Sequence, residues 1–248
     1  GGASAAARAR RLCEDCEIIV FERGPYVSFA NCGLPYFVGG EIAEQDSLLV
    51  QTPESLKARF NLDVRINTEV IRLDRAVRRI RVREVDTGRE YEEAYDALIL
   101  STGASPLKPP LPGIEYPNHF VVRSIPDVEH IMAWSKDCQR CRAVVVGGGY
   151  IGLEMAEQLR HRGFDVTMAQ ALPQVMTPFD PEMAAWLHAE LRANGVALHL
   201  NDPVVAFEPP SEQEPARASI VVLKSGHRLP ADSVVLGLGV TPEVSLAK

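Results

Sequence analysis

The sequence predicts an α/β fold in which one plan is written twice. Three observations predict it. Apolar strand-like runs alternate with helical stretches, glycine-containing turns stand at the heads of two helices, and two strand endings match: Gly103-Ala104-Ser105-Pro106 and Gly239-Val240-Thr241-Pro242. Internal similarity of this kind points to two related units. The alternation argues for parallel sheets, and short β-rich runs argue for small antiparallel meanders.

The first copy opens with residues 4–12, rich in alanine and arginine and helical in character. Glu17-Ile18-Ile19-Val20-Phe21-Glu22 follows as a short strand ending in an acid. Residues 70–95 hold β-rich runs such as Ile80-Arg81-Val82-Arg83, with Asp86-Thr87-Gly88 as a hairpin turn. Ala97-Leu98-Ile99-Leu100 reads as an apolar strand running into Thr102-Gly103. The second copy has a strand at 143–146, a helix at 153–162 closed by Gly163, a strand at 166–168 and a helix at 181–194 closed by Gly195. A hairpin around Ser225-Gly226 joins 220–223 to 227–229, and Val234-Val235-Leu236 is the last strand. The proline-rich stretch 106–117 is the linker candidate, and 208–215 reads as a surface loop.

The 248 residues suffice for two such units. A net charge of -7 argues against a nucleic-acid partner, which needs a concentrated positive face. No apolar run reaches the ~20 residues of a membrane helix. Five cysteines, an odd number, read as reduced cytoplasmic thiols rather than a secreted disulfide framework. The chain opens Gly1-Gly2-Ala3 without a methionine, so the expectation is that the natural N-terminus lies further upstream.

Gly147-Gly148-Gly149-Tyr150-Ile151-Gly152 follows an apolar strand and opens a helix. Glycines at Gly147, Gly149 and Gly152 allow a tight turn and let a pyrophosphate approach the helix N-terminus, whose free N–H groups favour anions. Tyr150, Ile151 and Glu154 belong to the same candidate coenzyme-binding stretch. Gln170 stands where a ribose-binding acid is expected. Glutamine removes the repulsion of a 2′-phosphate but supplies no cation for it, so NADH and NADPH both stay open. Gly1-Gly2 reads as the tail of a second fingerprint, because Glu22 ends a strand twenty residues beyond Gly2, the place of a ribose-binding carboxylate. The fold class is therefore two Rossmann-like dinucleotide-binding units. The expected divisions are 1–111, 112–231, and 232–248 as a return segment into the first unit.

Residues 26–37 form an apolar, aromatic loop with Ser28, Asn31 and a lone Cys32. Position 37 is Phe37, which excludes a local dithiol pair. Residues 27–40, the start GGASAAARARRL and the two strand endings resemble the pyridine nucleotide-disulfide oxidoreductase family. Within it they are most similar to coenzyme A-disulfide reductases and NADH oxidase-type relatives. The resemblance covers essentially the whole chain. It implies FAD and NAD(P)H as cofactors, and Cys32 as a single redox-active thiol that accepts electrons from the flavin. It implies Asn31 and Ser28 on the substrate side of that thiol, and Gly1, Gly2, Glu22, Arg23, Val70, Thr102 and Gly103 along the FAD. It further implies a strand before Gly1, and a second FAD motif and a dimerisation domain past Lys248, hence a homodimer. Ser4, Arg8 and Arg11 share one helix face at spacings of four and three. The resemblance assigns that face to the phosphates and adenine of coenzyme A, while Arg10 points elsewhere.

Cys13/Cys16 and Cys138/Cys141 have the spacing of a four-cysteine zinc site, but each precedes a strand in a different unit. They are expected as plain loop thiols, and no metal site is expected. The six histidines show no partner spacing and read as surface or loop residues. Three functions compete. The first is NAD(P)H-dependent reduction of coenzyme A disulfide or a related per- or polysulfide. The second is an NADH oxidase or peroxidase cycling through a cysteine sulfenic acid. The third is a nucleotide-binding module without turnover. The basic face at Ser4, Arg8 and Arg11 favours the first.

Overall fold

The computed structural model describes residues 1–136, 141–210, 215 and 218–248. Its helices are α1 Gly2–Leu12, α2 Leu34–Gly39, α3 Pro53–Phe60, α4 Ile125–Ser135, α5 Tyr150–His161 and α6 Pro181–Ala193. The chain divides into two compact units. One comprises Gly1–Ala30, Asp46–Ser105 and Pro242–Lys248, and the other Asn31–Gln45 and Pro106–Thr241. The α/β plan of parallel sheet plus antiparallel meander recurs in both.

In the first unit, Ile19–Phe21 pairs in parallel with Asp63–Arg65. Ala6 of α1, Leu56 of α3 and Leu62 are buried together, with Ile18, Val20, Val27, Phe60 and Val64 packed around them. Thr52 caps α3 through a reciprocal pair with Ser55: the Ser55 N–H donates to Thr52 Oγ1 at 3.2 Å and the Thr52 N–H to Ser55 Oγ at 2.9 Å. Arg10 joins the two helix ends, donating to the Phe60 carbonyl at 2.8 Å, Asn61 at 3.1 Å and Cys13 at 3.2 Å. It thus satisfies carbonyls that a helix leaves without partners at its end. Thr68–Asp74, Arg79–Glu84 and Glu90–Ala94 form the meander, turning at Gly88 with φ 71°. Ile80 and Val82 alternate inward from the arginines of the middle strand.

Two expectations fail in this unit. Ala97–Leu100 forms no strand, and Ile99 and Leu100 are exposed. Its composition suits a strand, but a strand exists only through a neighbour, and none of the described residues reaches it. Cys13 and Cys16 are not plain thiols but a disulfide. Cys13 is extended as it leaves α1, and the two Cα atoms stand 5.6 Å apart, well within bridging range. Cys141 of the second pair is likewise disulfide-bonded rather than a plain thiol, whereas Cys138, and 211–214 of the expected surface loop, lie outside the described residues.

The second unit holds a five-stranded sheet in the order Ala197–His199, Asp165–Ala169, Arg142–Val146, Ser233–Leu236, His119–Phe120. All four pairings are parallel. The central strand is buried from Ala143 to Val146, the continuous apolar pattern of a sheet covered on both faces. Buried Asp232 fixes where two neighbouring strands start. It accepts from the Arg142 backbone N–H at 2.9 Å and from the Arg142 guanidinium at 3.1 and 2.9 Å. The antiparallel meander is Val204–Glu208, Ser219–Leu223 and Arg228–Ala231. Ser233–Leu236 pairs with Arg142–Val146 inside this unit's sheet.

Asn31–Gln45, which precedes the linker in sequence, also clusters in this second unit. The cause is the seam between α2 and α5. A Cβ on Gly39 would stand 1.7 Å from Gln158 Oε1 and 2.7 Å from its Cδ, so a methyl group there would force the Gln158 amide to move. The buried Gln158 donates to Glu41 at 2.8 Å, and Arg162 donates to the Val38 carbonyl at 3.0 Å.

His119 contradicts the reading of the histidines as surface or loop residues, being buried at the start of its strand. Its Nδ1 donates to the Ile114 carbonyl at 3.0 Å, so Nε2 accepts from the Ser219 hydroxyl at 3.0 Å. Burial pushes its pKa down to about 4, against a weaker upward pull from the Ile114 carbonyl.

Two tests follow from this packing. The unfolded imidazole binds its proton below a pKa of about 6.5 and the folded one only near 4, so the unfolded state holds more protons between these values. Stability is therefore full above that window and falls as pH drops through it, by about 3 kcal/mol from this group. Denaturant unfolding from pH 7 to 4 should show a smaller acid loss in His119→Gln; identical slopes would refute the assignment. Gly39→Ala should lower stability by about 1–3 kcal/mol, and a Gly39→Ala/Gln158→Ala double variant, which clears the overlap, should recover part of it in thermal unfolding.

Candidate functional site

The glycine turn at 147–152 is built as its spacing predicts. Gly147 has φ 104°, and a Cβ there would meet the Gly237 carbonyl at 2.3 Å. A Cβ on Gly152 would stand 1.9 Å from the Gly147 carbonyl, so helix and turn pack against bare backbone. Gly149, by contrast, has nothing within 4 Å of its Cβ position, and it caps α5 without a side-chain hydrogen bond. The N-terminus of α5 thus presents free N–H groups to an open approach, which suits a pyrophosphate. The residues present fit a nicotinamide dinucleotide. Tyr150 is exposed at the first turn and Ile151 is half-buried.

Gln170, expected at the ribose, is held within the protein. Its Oε1 accepts from the Gly148 N–H at 3.3 Å and its Nε2 donates to the Gln174 carbonyl at 3.0 Å. It braces the glycine turn and adds neither negative nor positive charge at the strand end.

Cys32 is an exposed free thiol in the short 3-10 turn Asn31–Gly33, directly before α2. The same seam that fixes α2 on α5 brings Tyr36 among Glu154, Glu157, Glu41 and Cys32. The Glu154 carboxylate, then burial, then Glu157, Glu41 and Cys32 in falling order, raise the Tyr36 hydroxyl above its usual range. Burial, with Glu157 second, also raises Glu154. Glu154 is therefore placed beside the thiol segment, a position that its sequence neighbours do not reveal. Tyr36, Glu41 and Gln158 were missed by sequence reasoning. Gln158 sits among the apolar residues of α5, and only the bare backbone at Gly39 hinted at a close neighbour.

In the first unit, α1 begins at Gly1 without a side-chain cap, and Cβ atoms on Gly1 and Gly2 would meet the Ser101 side chain at 3.6 and 3.3 Å. Glu22 ends its strand with one carboxylate oxygen accepting the Gly24 N–H at 2.7 Å, leaving the other for a ligand. Arg23 stands 3.8 Å from Glu69. Val70 is half-buried in the first meander strand. The Thr102 hydroxyl donates to the Glu243 carbonyl at 2.5 Å, and the Gly103 carbonyl accepts the Glu243 N–H at 2.9 Å. An uncapped helix start with an acid at the adjoining strand end fits the adenosine half of a second dinucleotide. Ser28 is half-buried in the strand Ser28–Phe29.

Ser4, Arg8 and Arg11 are exposed on α1, whereas Ala6 is buried and Arg10 is committed to backbone carbonyls. Among the described residues no carboxylate pairs with Arg8 or Arg11. The face expected from the spacing is present and its two guanidiniums are unspent.

The whole chain, residues 1–248, matches the model of the family described as pyridine nucleotide-disulphide oxidoreductase. The chain is 34% identical over 248 residues to an NADH oxidase of Methanocaldococcus jannaschii, covering 100% of this chain and 54% of that protein. It is 34% identical over 242 residues to a coenzyme A disulfide reductase of Staphylococcus haemolyticus, covering 98% and 52%. Among solved structures, reduced CoADR-RHD of Bacillus anthracis superposes with a TM-score of 0.93 at 48% identity, covering 100% of this chain and 43% of that one. The chain spans about half the length of the curated relatives it matches. A family match over every residue, on two units that repeat one dinucleotide-binding plan, settles the descent: the chain belongs to the pyridine nucleotide-disulphide oxidoreductase family.

Proposed function

We propose that the protein is an NAD(P)H-dependent flavoenzyme that reduces coenzyme A disulfide or a related per- or polysulfide, with Cys32 as its single redox-active thiol. The observation that carries this reading is an exposed, unpaired Cys32 on a segment clamped to α5, the helix whose N-terminus suits the nicotinamide coenzyme. FAD, when bound, relays the two electrons of the hydride from the coenzyme to the thiol. Gly147, Gly149 and Gly152 bind the pyrophosphate, with Tyr150, Ile151 and Glu154 on the same helix, and Gln170 braces the turn. Gly1, Gly2, Glu22, Arg23, Val70, Thr102 and Gly103 hold the FAD.

The Cys32 thiolate attacks one sulfur of the disulfide. One coenzyme A leaves as its thiolate and takes a proton, and a Cys32–S–S–CoA bond forms. Two electrons from the coenzyme side then break that bond, returning the Cys32 thiolate and, with a second proton, releasing the second coenzyme A thiol. Arg8 and Arg11 neutralise the phosphates of the incoming coenzyme A, with Ser4 on the same face, while Ser28 and Asn31 line the approach to Cys32. The protein works as a homodimer in the cytoplasm, where reduced nicotinamide is supplied. The oxidase reading, with a Cys32 sulfenic acid, draws on the likeness to the NADH oxidase. The unspent basic face of α1 favours the disulfide reading, since oxygen needs no cationic docking surface.

Steady-state kinetics on the natural full-length protein separate the readings. Cys32→Ser should lower kcat with coenzyme A disulfide on the order of 10³-fold while leaving coenzyme oxidation by a one-electron dye nearly intact; unchanged turnover with every acceptor would falsify the reading. Arg8→Ala and Arg11→Ala should each raise KM for coenzyme A disulfide about tenfold at constant kcat, the loss of one charged hydrogen-bond donor. The same variants should leave KM for inorganic polysulfide or oxygen unmoved. A KM increase shared by all acceptors would point to a folding role for the arginines.

A further inference from the structure

The histidines, read from the sequence as scattered, converge at one place in the second unit. His199 ends the edge strand of the parallel sheet, Asp202 follows three residues later, and His227 stands just before the last meander strand. One ligand atom from each lies within 4.8 Å of the others. The two imidazole rings meet edge to face with centroids 5.1 Å apart, and His227 Nδ1 stands 3.9 Å from Asp202 Oδ2.

We propose that His199, Asp202 and His227 form a binding site for a divalent transition-metal ion of the Zn²⁺ class.

Three features carry this beyond coincidence. The donor set is chemically coherent: two imidazole nitrogens and one carboxylate oxygen suit borderline cations such as Zn²⁺, and two imidazoles disfavour Ca²⁺ and Mg²⁺. The carboxylate is prearranged. Asp202 is buried, at 9% exposure, and accepts from the Ser225 N–H at 2.9 Å and the Ser225 hydroxyl at 2.5 Å. With its hydrogen given to Asp202, the Ser225 oxygen accepts from His227 Nδ1–H at 2.7 Å, so one side chain ties the two residues together and leaves His227 Nε2 as the free ring nitrogen.

The backbone is fixed as well. The His199 carbonyl accepts from the Gln170 N–H at 2.8 Å, and the Asp202 N–H donates to the Gln170 carbonyl at 3.1 Å. The His227 carbonyl accepts the Leu223 N–H at 2.9 Å. Donors around tetrahedral Zn²⁺ stand about 3.3 Å apart, given bonds near 2.0 Å. Closing the gap requires rotation of the His227 ring, 63% exposed, which gives up its Nδ1 bond to Ser225. Three protein ligands leave a fourth position to water. The main chain of Gln170 touches two of the three ligand residues, so the ion would sit behind the strand end that braces the Gly148 turn.

The test uses the natural full-length protein, untagged, stripped with a chelator and with its reactive thiols alkylated. Titration with Zn²⁺ alone in a calorimeter should show one site per chain. Zinc-edge X-ray absorption should give a nitrogen and oxygen shell with imidazole scattering. His199→Ala and His227→Ala should each weaken Zn²⁺ at least about tenfold while leaving melting of the metal-free protein unchanged. Should either variant unfold, His199→Gln and His227→Gln take its place. No saturable binding, equal affinity in wild type and folded variants, or a sulfur-containing shell each overturns the proposal.

Discussion

The close approach of α2 to α5 at Gly39 and Gln158 is the contact on which the candidate site depends. Glycine at 39 lets a buried glutamine fill the space a methyl group would take. That fit, together with the bonds from Gln158 to Glu41 and from Arg162 to Val38, ties residues 31–45 to α5. Interiors packed to crystal-like density transmit position rather than absorb it. The thiol segment is therefore placed by the second unit, although in sequence it belongs to the first. The same contact sets Glu154 near Tyr36 and raises both groups.

Electrostatically, the two units share one device. Both α1 and α5 have a glycine at the N-cap, Gly1 and Gly149, without a side-chain cap. Most soluble helices spend a serine, threonine or acid on those first N–H groups, as α3 does with Thr52. Leaving them open weakens the isolated helix and keeps its end able to accept an anion. Supporting polar side chains are spent elsewhere: Gln170 on the Gly148 turn, Arg10 on the ends of two helices, and Asp232 on the start of the central strand. Arg8 and Arg11 are the contrast, exposed beside the committed Arg10.

Much of this was legible in the sequence because it is local. The 147–152 turn, the helices it opens and closes, the meander turns at Gly88 and Gly226, and the Ser4–Arg8–Arg11 face follow from spacing and backbone freedom within a few residues. What escaped depends on partners distant in sequence. Ala97–Leu100 has a strand's composition and no described neighbour. Cys13 and Cys16 needed the extended exit from α1 to bring them within bonding reach. His119 needed Ile114 and Ser219 to be recognised as a core group, and His199 and His227 are joined only when the meander folds back toward the edge strand. Gln170 sits where the pattern places it, yet its amide faces the turn.

A single covalent observation tests the central claim that Cys32 is the thiol through which electrons leave the protein. The natural full-length protein is reduced, freed of reductant, incubated with coenzyme A disulfide and without coenzyme, then digested and mapped by mass spectrometry. The account predicts one coenzyme A adduct, on the peptide containing Cys32, that NAD(P)H discharges with release of coenzyme A. An adduct confined to Cys13 or Cys16, or one on Cys32 that NAD(P)H leaves in place, would contradict it.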